Sequence, residues 1–330
     1  MKSGSFKYFG AAIGATAIWG AFSVPLRGLQ GYQPHEIINY RLLFSLAITC
    51  LIIALFRKKA IRADYRYLKS VKWPKRLQLF RLVFMAGMFL TGNWISFLYA
   101  VNHISLKSAA FGYMICPLST AMGGFFILKE QLSVPKVIAI VIAMISVILL
   151  AQGSTEEVLW STLIAISYSC YLLLQRVITK LDKLNVLGIQ LILSTLIIVP
   201  SSAYIFGTWS PAAAEPHFWI SMVVISILFT VIPLVLVSYS LIGIPSSTLG
   251  IIVYLNPIIA FSLAFIYFNE EINVEQLYAY SLLLASVIIF NWDLIGNYLN
   301  KYTQKEELPA TQSSTPVNRY TRNSKNEPLI

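Results

Sequence analysis

The sequence predicts an all-α integral membrane protein of ten transmembrane helices, arranged as two inverted five-helix repeats with both termini in the cytoplasm. Three observations carry that expectation: a composition too apolar for a water-soluble domain, ten apolar runs of spanning length, and a repeated segment combined with a one-sided distribution of Lys and Arg.

Of 330 residues, 57% are hydrophobic and 12% charged, against about 25% charged in a soluble globular domain. A net charge of +11 raises the question of nucleic acid, but the basic residues sit in short gaps between apolar runs rather than on a folded polar surface, so no nucleic-acid partner is expected. Cys50, Cys116 and Cys170 lie inside apolar runs at no paired spacing, which suits packing and gives neither a disulfide framework nor a zinc site.

A helix rising 1.5 Å per residue needs about 20 apolar residues to cross hydrocarbon. Runs of this kind cover 8–26, 37–56, 82–101, 108–128 and 134–151, which make the first repeat within 1–152. A second set covers 158–174, 186–206, 218–240, 247–268 and 276–295, within 153–299. The first run is read as a retained span rather than a cleaved signal peptide. With the N-terminus inside, every one of the 25 Lys and Arg except Arg27, Arg41 and Lys107 falls on the cytoplasmic side, as the positive-inside rule requires. The basic loop 57–81, with Tyr65, Tyr67 and Trp73 among its charges, is either a partner for anionic membrane lipids or a solvated topogenic loop. The polar segment 300–330 has too few apolar residues to build a core and is expected to be a disordered cytoplasmic tail.

Residues 108–150 overlay 248–290, aligning Pro117 with Pro257, Phe125 with Phe265, Glu130 with Glu270, and Ser146-Val147-Ile148 with Ser286-Val287-Ile288. Five spans per copy is an odd number, so the copies face opposite ways. Inverted repeats are the usual construction of secondary transporters, whose two halves exchange conformations about one central site. Pro117 and Pro257 are expected to kink their helices and free backbone carbonyls, as do Pro25 and Pro233.

Polar and aromatic groups at membrane depth are the candidate site. Arg41 follows Pro34 by seven residues. A central arginine costs roughly 2.5 to 3.5 kcal/mol on insertion scales, so it either snorkels outward or, as favoured here, faces the interior and binds a carboxylate or carbonyl. His35, Glu36 and Asn39 lie toward the same helix start and are assigned to the outer mouth. Asn93 and Trp94 with Ser96 give the third span a polar stripe ending near Asn102, read as cavity lining. Trp19 suits core packing and a site equally. Tyr113 precedes Pro117 by one turn, while Tyr254 and Asn256 precede Pro257; aromatic walls with a few polar groups are what a small organic solute needs. Gly112, Cys116, Ser119 and Gly123 form a small-residue face suited to close helix packing.

No phosphate-binding G-x-x-x-x-G-K-[ST] run or G-x-S-x-G elbow occurs, and His35, His103 and His217 are scattered, so neither catalytic residues, a cofactor nor a metal is expected. No Asp or Glu falls mid-span, leaving proton coupling without an evident carrier.

These residues resemble the EamA branch of the drug/metabolite transporter superfamily, and within it the RarD-like proteins. The resemblance rests on Ile18-Trp19-Gly20, Glu36-Ile37 with Arg41, Gly92-Asn93-Trp94 with Ala100-Val101-Asn102, Gly112-Tyr113 with Pro117-Leu118, and Ser247-Thr248-Leu249-Gly250 with Tyr254 and Pro257. It implies the two inverted repeats and a cavity open alternately to each side. Cys116 departs from the family's second asparagine before the proline. The expected function is secondary transport of a small metabolite or drug-like solute across the bacterial inner membrane, with efflux as the direction. Metabolite uptake, a lipid flippase and a membrane enzyme are the alternatives.

Overall fold

The computed structural model describes residues 5–29, 31–104, 106–150, 155–206, 215–267 and 274–292. The chain divides into a compact helical unit through Phe290 and a second from Asn291 onward, of which only Asn291 and Trp292 are described. The polar tail and Glu270 therefore lie outside the described residues. No strand occurs among the described residues.

The first helix is interrupted: α1 (Ser5–Gly20) and α2 (Ser23–Arg27) are separated at Ala21 and Phe22. Pro25 has no N–H for the Ala21 carbonyl four residues back, which instead takes the Val24 N–H at 3.1 Å in a tighter turn. Helix α3 (Pro34–Phe56) starts on a proline, whose missing N–H costs nothing in a first turn. The expected 57–81 loop is corrected to helix: α4 (Lys58–Ser70) and the start of α5 (Trp73–Tyr99) occupy it. Apolar positions recur on one side of α4, and Pro74 begins α5 well before its apolar stretch, so local sequence favours helix on both sides of Val71. Helix α5 ends in a π-helical turn, Ala100–Ile104.

Helix α6 (Leu106–Phe126) runs through Pro117 without interruption, whereas its expected counterpart is broken into α12 (Ser246–Ile252) and α13 (Leu255–Ile266) just before Pro257. Between these lie α7 (Val134–Leu150), α8 (Thr155–Val177), α9 (Lys183–Phe206), α10 (Pro216–Ser226), a π-helical turn at Ile227–Val231, and α11 (Ile232–Gly243); α14 (Val274–Phe290) closes the unit. Among the described residues seven helical stretches are long and apolar enough to cross a membrane, and the apolar helices Ala110–Phe126, Val134–Leu150 and Leu277–Phe290 are shorter.

Helices from the two halves of the sequence interleave. Helix α1 packs on α11 and α5 on α8; α6 packs on α8 and α1 on α13; α3 packs on α10 and α9 on α5; α6 meets α12, α3 meets α9 and α7 meets α14. Close approach depends on missing side chains: a Cβ on Gly112 would lie 2.8 Å from the Ser161 carbonyl, and one on Gly123 2.5 Å from Leu173. The small face of α6 is thus a packing surface against α8. Outward-facing Phe80, Phe84, Met88, Ile138, Ile145, Ile148, Leu159 and Ile166 remain exposed, an apolar exterior that suits hydrocarbon rather than water.

Candidate solute site

The site begins with a backbone defect. Pro233 offers no N–H to the Phe229 carbonyl, and its ring would press on that oxygen in a regular helix. Residues 227–231 widen into the π turn, a common relief at functional positions. The Phe229 carbonyl then accepts from the Trp19 indole N–H at 3.1 Å and, more loosely, from Arg41 Nη2 at 3.5 Å.

Arg41 does not snorkel. Its Nε donates to the Thr230 hydroxyl at 2.6 Å, and its guanidinium lies 5.2 Å from the Phe22 ring and 6.0 Å from Trp94. The Ser226 hydroxyl donates to the Arg41 carbonyl at 3.1 Å, which ties α3 to the π turn on both sides of the residue. Within electrostatic range of the guanidinium are the phenols of Tyr113 and Tyr168; Glu36 lies instead beside Tyr40. The side chain retains accessible surface although it sits among the core residues of the bundle, and so do Trp19, Phe22 and Tyr113.

Asn93 is fully buried and bridges three helices. Its Nδ2 donates to the Ile164 carbonyl of α8 at 3.0 Å, and its Oδ1 accepts from the Tyr113 hydroxyl of α6 at 2.9 Å. Asn93 therefore positions Tyr113 from behind, while Trp94, next in sequence, faces Arg41. Tyr168 stands edge-on to Trp19 at 6.2 Å and to Tyr113 at 6.0 Å.

Other expected residues go elsewhere. Asn39 does not line an opening: it is fully buried and exchanges hydrogen bonds with Ser202 of α9, at 2.7 Å from Nδ2 and 3.0 Å to Oδ1. His35 and Glu36 are half-buried in the first turn of α3. Tyr254 packs with Ala121, Ala139, Ala143 and Leu283, in a cluster distinct from the one around Arg41, because the chain turns between α12 and α13 at this residue. The Asn256 backbone approaches α1, its carbonyl 3.1 Å from where a Gly20 Cβ would stand. The side chain of Asn102 lies outside the described residues.

A second polar cluster escaped the sequence reading of the site. Glu130 follows Lys129, whose positive φ of 56° turns the chain sharply after α6. Its carboxylate accepts from the Ser246 N–H at 2.7 Å, the Ser246 hydroxyl at 2.8 Å and the Ser247 N–H at 2.9 Å, at the start of α12 where free N–H groups favour an anion. Arg176 stands 3.9 Å from the same carboxylate and donates to the Leu241 carbonyl at 2.6 Å, near the end of α11. Burial pushes the Glu130 carboxyl upward, but the hydrogen bonds from Ser247 and Ser246 outweigh it and hold the group below the ordinary carboxylate range.

The model of the EamA-like transporter family matches this chain twice, over residues 7–152 and 155–292. The chain belongs to that family. Among curated relatives, Protein RarD of Streptomyces exfoliatus is 28% identical, covering 92% of this chain and 94% of its own. YojE of Bacillus subtilis, described as an uncharacterized transporter, is 28% identical over 84% of this chain and 91% of its own. Family and relatives together assign the chain to the RarD-like branch of EamA-type transporters. A solved crystal structure shares the fold with a TM-score of 0.68 at 14% identity, covering 86% of this chain and 96% of that one. A membrane transporter of the drug/metabolite type needs a polar spot inside an apolar bundle, and the Arg41 cluster is one.

Proposed function

We propose that this protein is a secondary transporter that exports a small metabolite or drug-like solute from a bacterial cytoplasm by alternating access, with the solute held beside Arg41. One observation carries the reading. A guanidinium at membrane depth is surrounded by groups drawn from both halves of the chain: the rings of Trp19, Phe22, Trp94 and Tyr113 from the first, and the Tyr168 ring and the Phe229 carbonyl from the second. A site shared by two halves changes its access when they rock, which is the requirement of alternating access.

Ten spans in two inverted repeats, with both termini cytoplasmic, complete the proposal. Support comes from the two family matches, which divide the chain between residues 152 and 155. The packing supports it too: exchanging each helix for its counterpart in the other half turns the α1–α11 pair into α8–α5, α6–α8 into α13–α1, and α3–α10 into α9–α5. On this topology the Glu130–Arg176 cluster lies on the cytoplasmic side, joining the α6–α7 turn of one half to helix ends of the other, and acts as an inner seal. The basic helix α4, with Lys59, Arg62 and Arg66 beside exposed Tyr65, would rest on anionic headgroups.

Two measurements test this. Reporter fusions after Arg62 and Lys180 are expected to read cytoplasmic and fusions after Gln152 outside; a cytoplasmic reading at Gln152 overturns the span count. Metabolite profiles of a deletion strain against an overexpressor are expected to differ in opposite directions inside and outside the cell for the same solute. A solute that accumulates inside on overexpression reverses the direction and favours uptake.

A further inference from the structure

Two polar functions around Arg41 are left over by the protein. The Tyr168 side chain is 6% exposed, and its hydroxyl has no hydrogen-bond partner among the described residues. The guanidinium carries five N–H groups, of which one makes a short bond, to a neutral hydroxyl, and another a long one, to a neutral carbonyl. Among the described residues no carboxylate stands among its electrostatic neighbours, which are the phenols of Tyr113 and Tyr168. Arginine stays charged under all ordinary conditions, so this cation lacks a counter-charge where low permittivity makes one most valuable. A buried hydroxyl without a partner is a similar deficit.

A carboxylate answers both. Its two oxygens can accept side by side from the planar guanidinium, with lone pairs to spare for the Tyr168 hydroxyl. Trp19, Phe22 and Trp94 then wall off whatever body the carboxylate is attached to, and their flat faces suit a ring or similar apolar group. The single positive charge of the cluster matches a monoanion and leaves a phosphate dianion half neutralised; a cationic amine would be repelled. We propose that the solute is an organic monoanion, a carboxylate borne on a flat apolar body, held between Arg41 and the Tyr168 hydroxyl. This rests on the reading of the Arg41 cluster as the solute site.

The test uses the purified full chain and four probes: phenylacetate, phenylacetamide, phenethylamine and acetate. Thermal stabilisation gives half-saturation for each, and radiolabelled forms of the four probes in proteoliposomes give flux. Phenylacetate is expected to half-saturate at a concentration at least about tenfold lower than its amide, the size of one charge-assisted contact, while the amine and acetate leave the unfolding temperature unchanged. Arg41→Gln removes the preference for acid over amide, and Arg41→Lys and Tyr168→Phe each reduce it. An amide or amine that matches the acid, or variants of Arg41 and Tyr168 that keep the full acid preference, overturns the proposal; the two mild variants decide the matter even where Arg41→Gln fails to fold. Arg41-dependent binding of acid without any flux would instead refute the transport reading and leave the ligand class standing. Flux of all four probes alike would do the reverse.

Discussion

The Arg41 and Glu130 clusters are a cation and an anion inside the same helical unit, and the protein treats them differently. Glu130 receives three hydrogen bonds at 2.7 to 2.9 Å from a helix start and has Arg176 nearby. Arg41 has one short bond to a hydroxyl, one long contact to a carbonyl and, among the described residues, no opposite charge beside it. A charge saturated by the protein holds elements together; a charge left under-coordinated among rings has capacity for something else. The contrast separates a fastening from the proposed binding site more sharply than burial does, since both groups are largely enclosed.

The largest effect should come from the unsaturated charge. Arg41→Gln is expected to lower transport by roughly ten- to a hundredfold at unchanged membrane abundance, the loss of a charge-assisted contact of about 1.5 to 3 kcal/mol. Arg41→Lys should fall between, because Lys keeps the charge but not the planar fork. Normal transport by both variants would erase the contrast by making Arg41 a second structural charge.

The saturated charge should act on closure instead. In a background without Cys50 and Cys170, buried Cys116 reports access from the cytoplasmic side in inverted vesicles. Glu130→Gln is expected to raise its labelling by a polar thiol reagent roughly fivefold, about 1 kcal/mol after allowance for solvent screening. Unchanged labelling would mean that the cluster holds no seal.

A smaller effect of the same sign follows from pH. The Glu130 carboxyl is depressed below its ordinary value, so its contribution is fully present above the ordinary carboxylate range and is lost as pH falls through the depressed value. Acid-dependent release of the seal is therefore expected below the usual carboxylate range, with the Glu130 contribution constant at neutral pH. Cysteine labelling, referenced to an exposed thiol to remove the reagent's own pH dependence, would locate that transition, and its persistence in Glu130→Gln would assign it to another group.

Smallest of all should be Pro233→Ala. Restoring an N–H at position 233 offers the Phe229 carbonyl a partner within its own helix, in competition with Trp19 and Arg41. Transport should drop only a few-fold while thermal stability holds or rises, since proline inside a helix costs about 3 kcal/mol when nothing accommodates it. Loss of stability would show that the π turn is needed for packing.

Much of this protein was legible from residue order alone. Apolar run length located helices in every expected span, and the cost of an arginine part-way into a span singled out Arg41, because the hydrocarbon penalty acts on each helix separately. The pairing of Asn93 with Trp94 was legible for the same reason. Asn39 looked equally polar, yet it meets Ser202, which is 163 residues away. Tyr168 went unremarked because a tyrosine in an apolar run carries no sign of whether its hydroxyl will find a partner.

By itself, then, the sequence determined that the chain is a bundle of apolar helices and that few charges enter the bundle. Those properties depend on solvation and spacing along one chain. Only the tertiary structure decided that Arg41 turns inward to a π turn made by Pro233, that Asn93 supports Tyr113, that Tyr254 packs apart from both, and that Glu130 fastens α12. Each of these depends on which helix face meets which neighbour, and hydrophobic burial, being non-directional, does not encode that choice in any single helix.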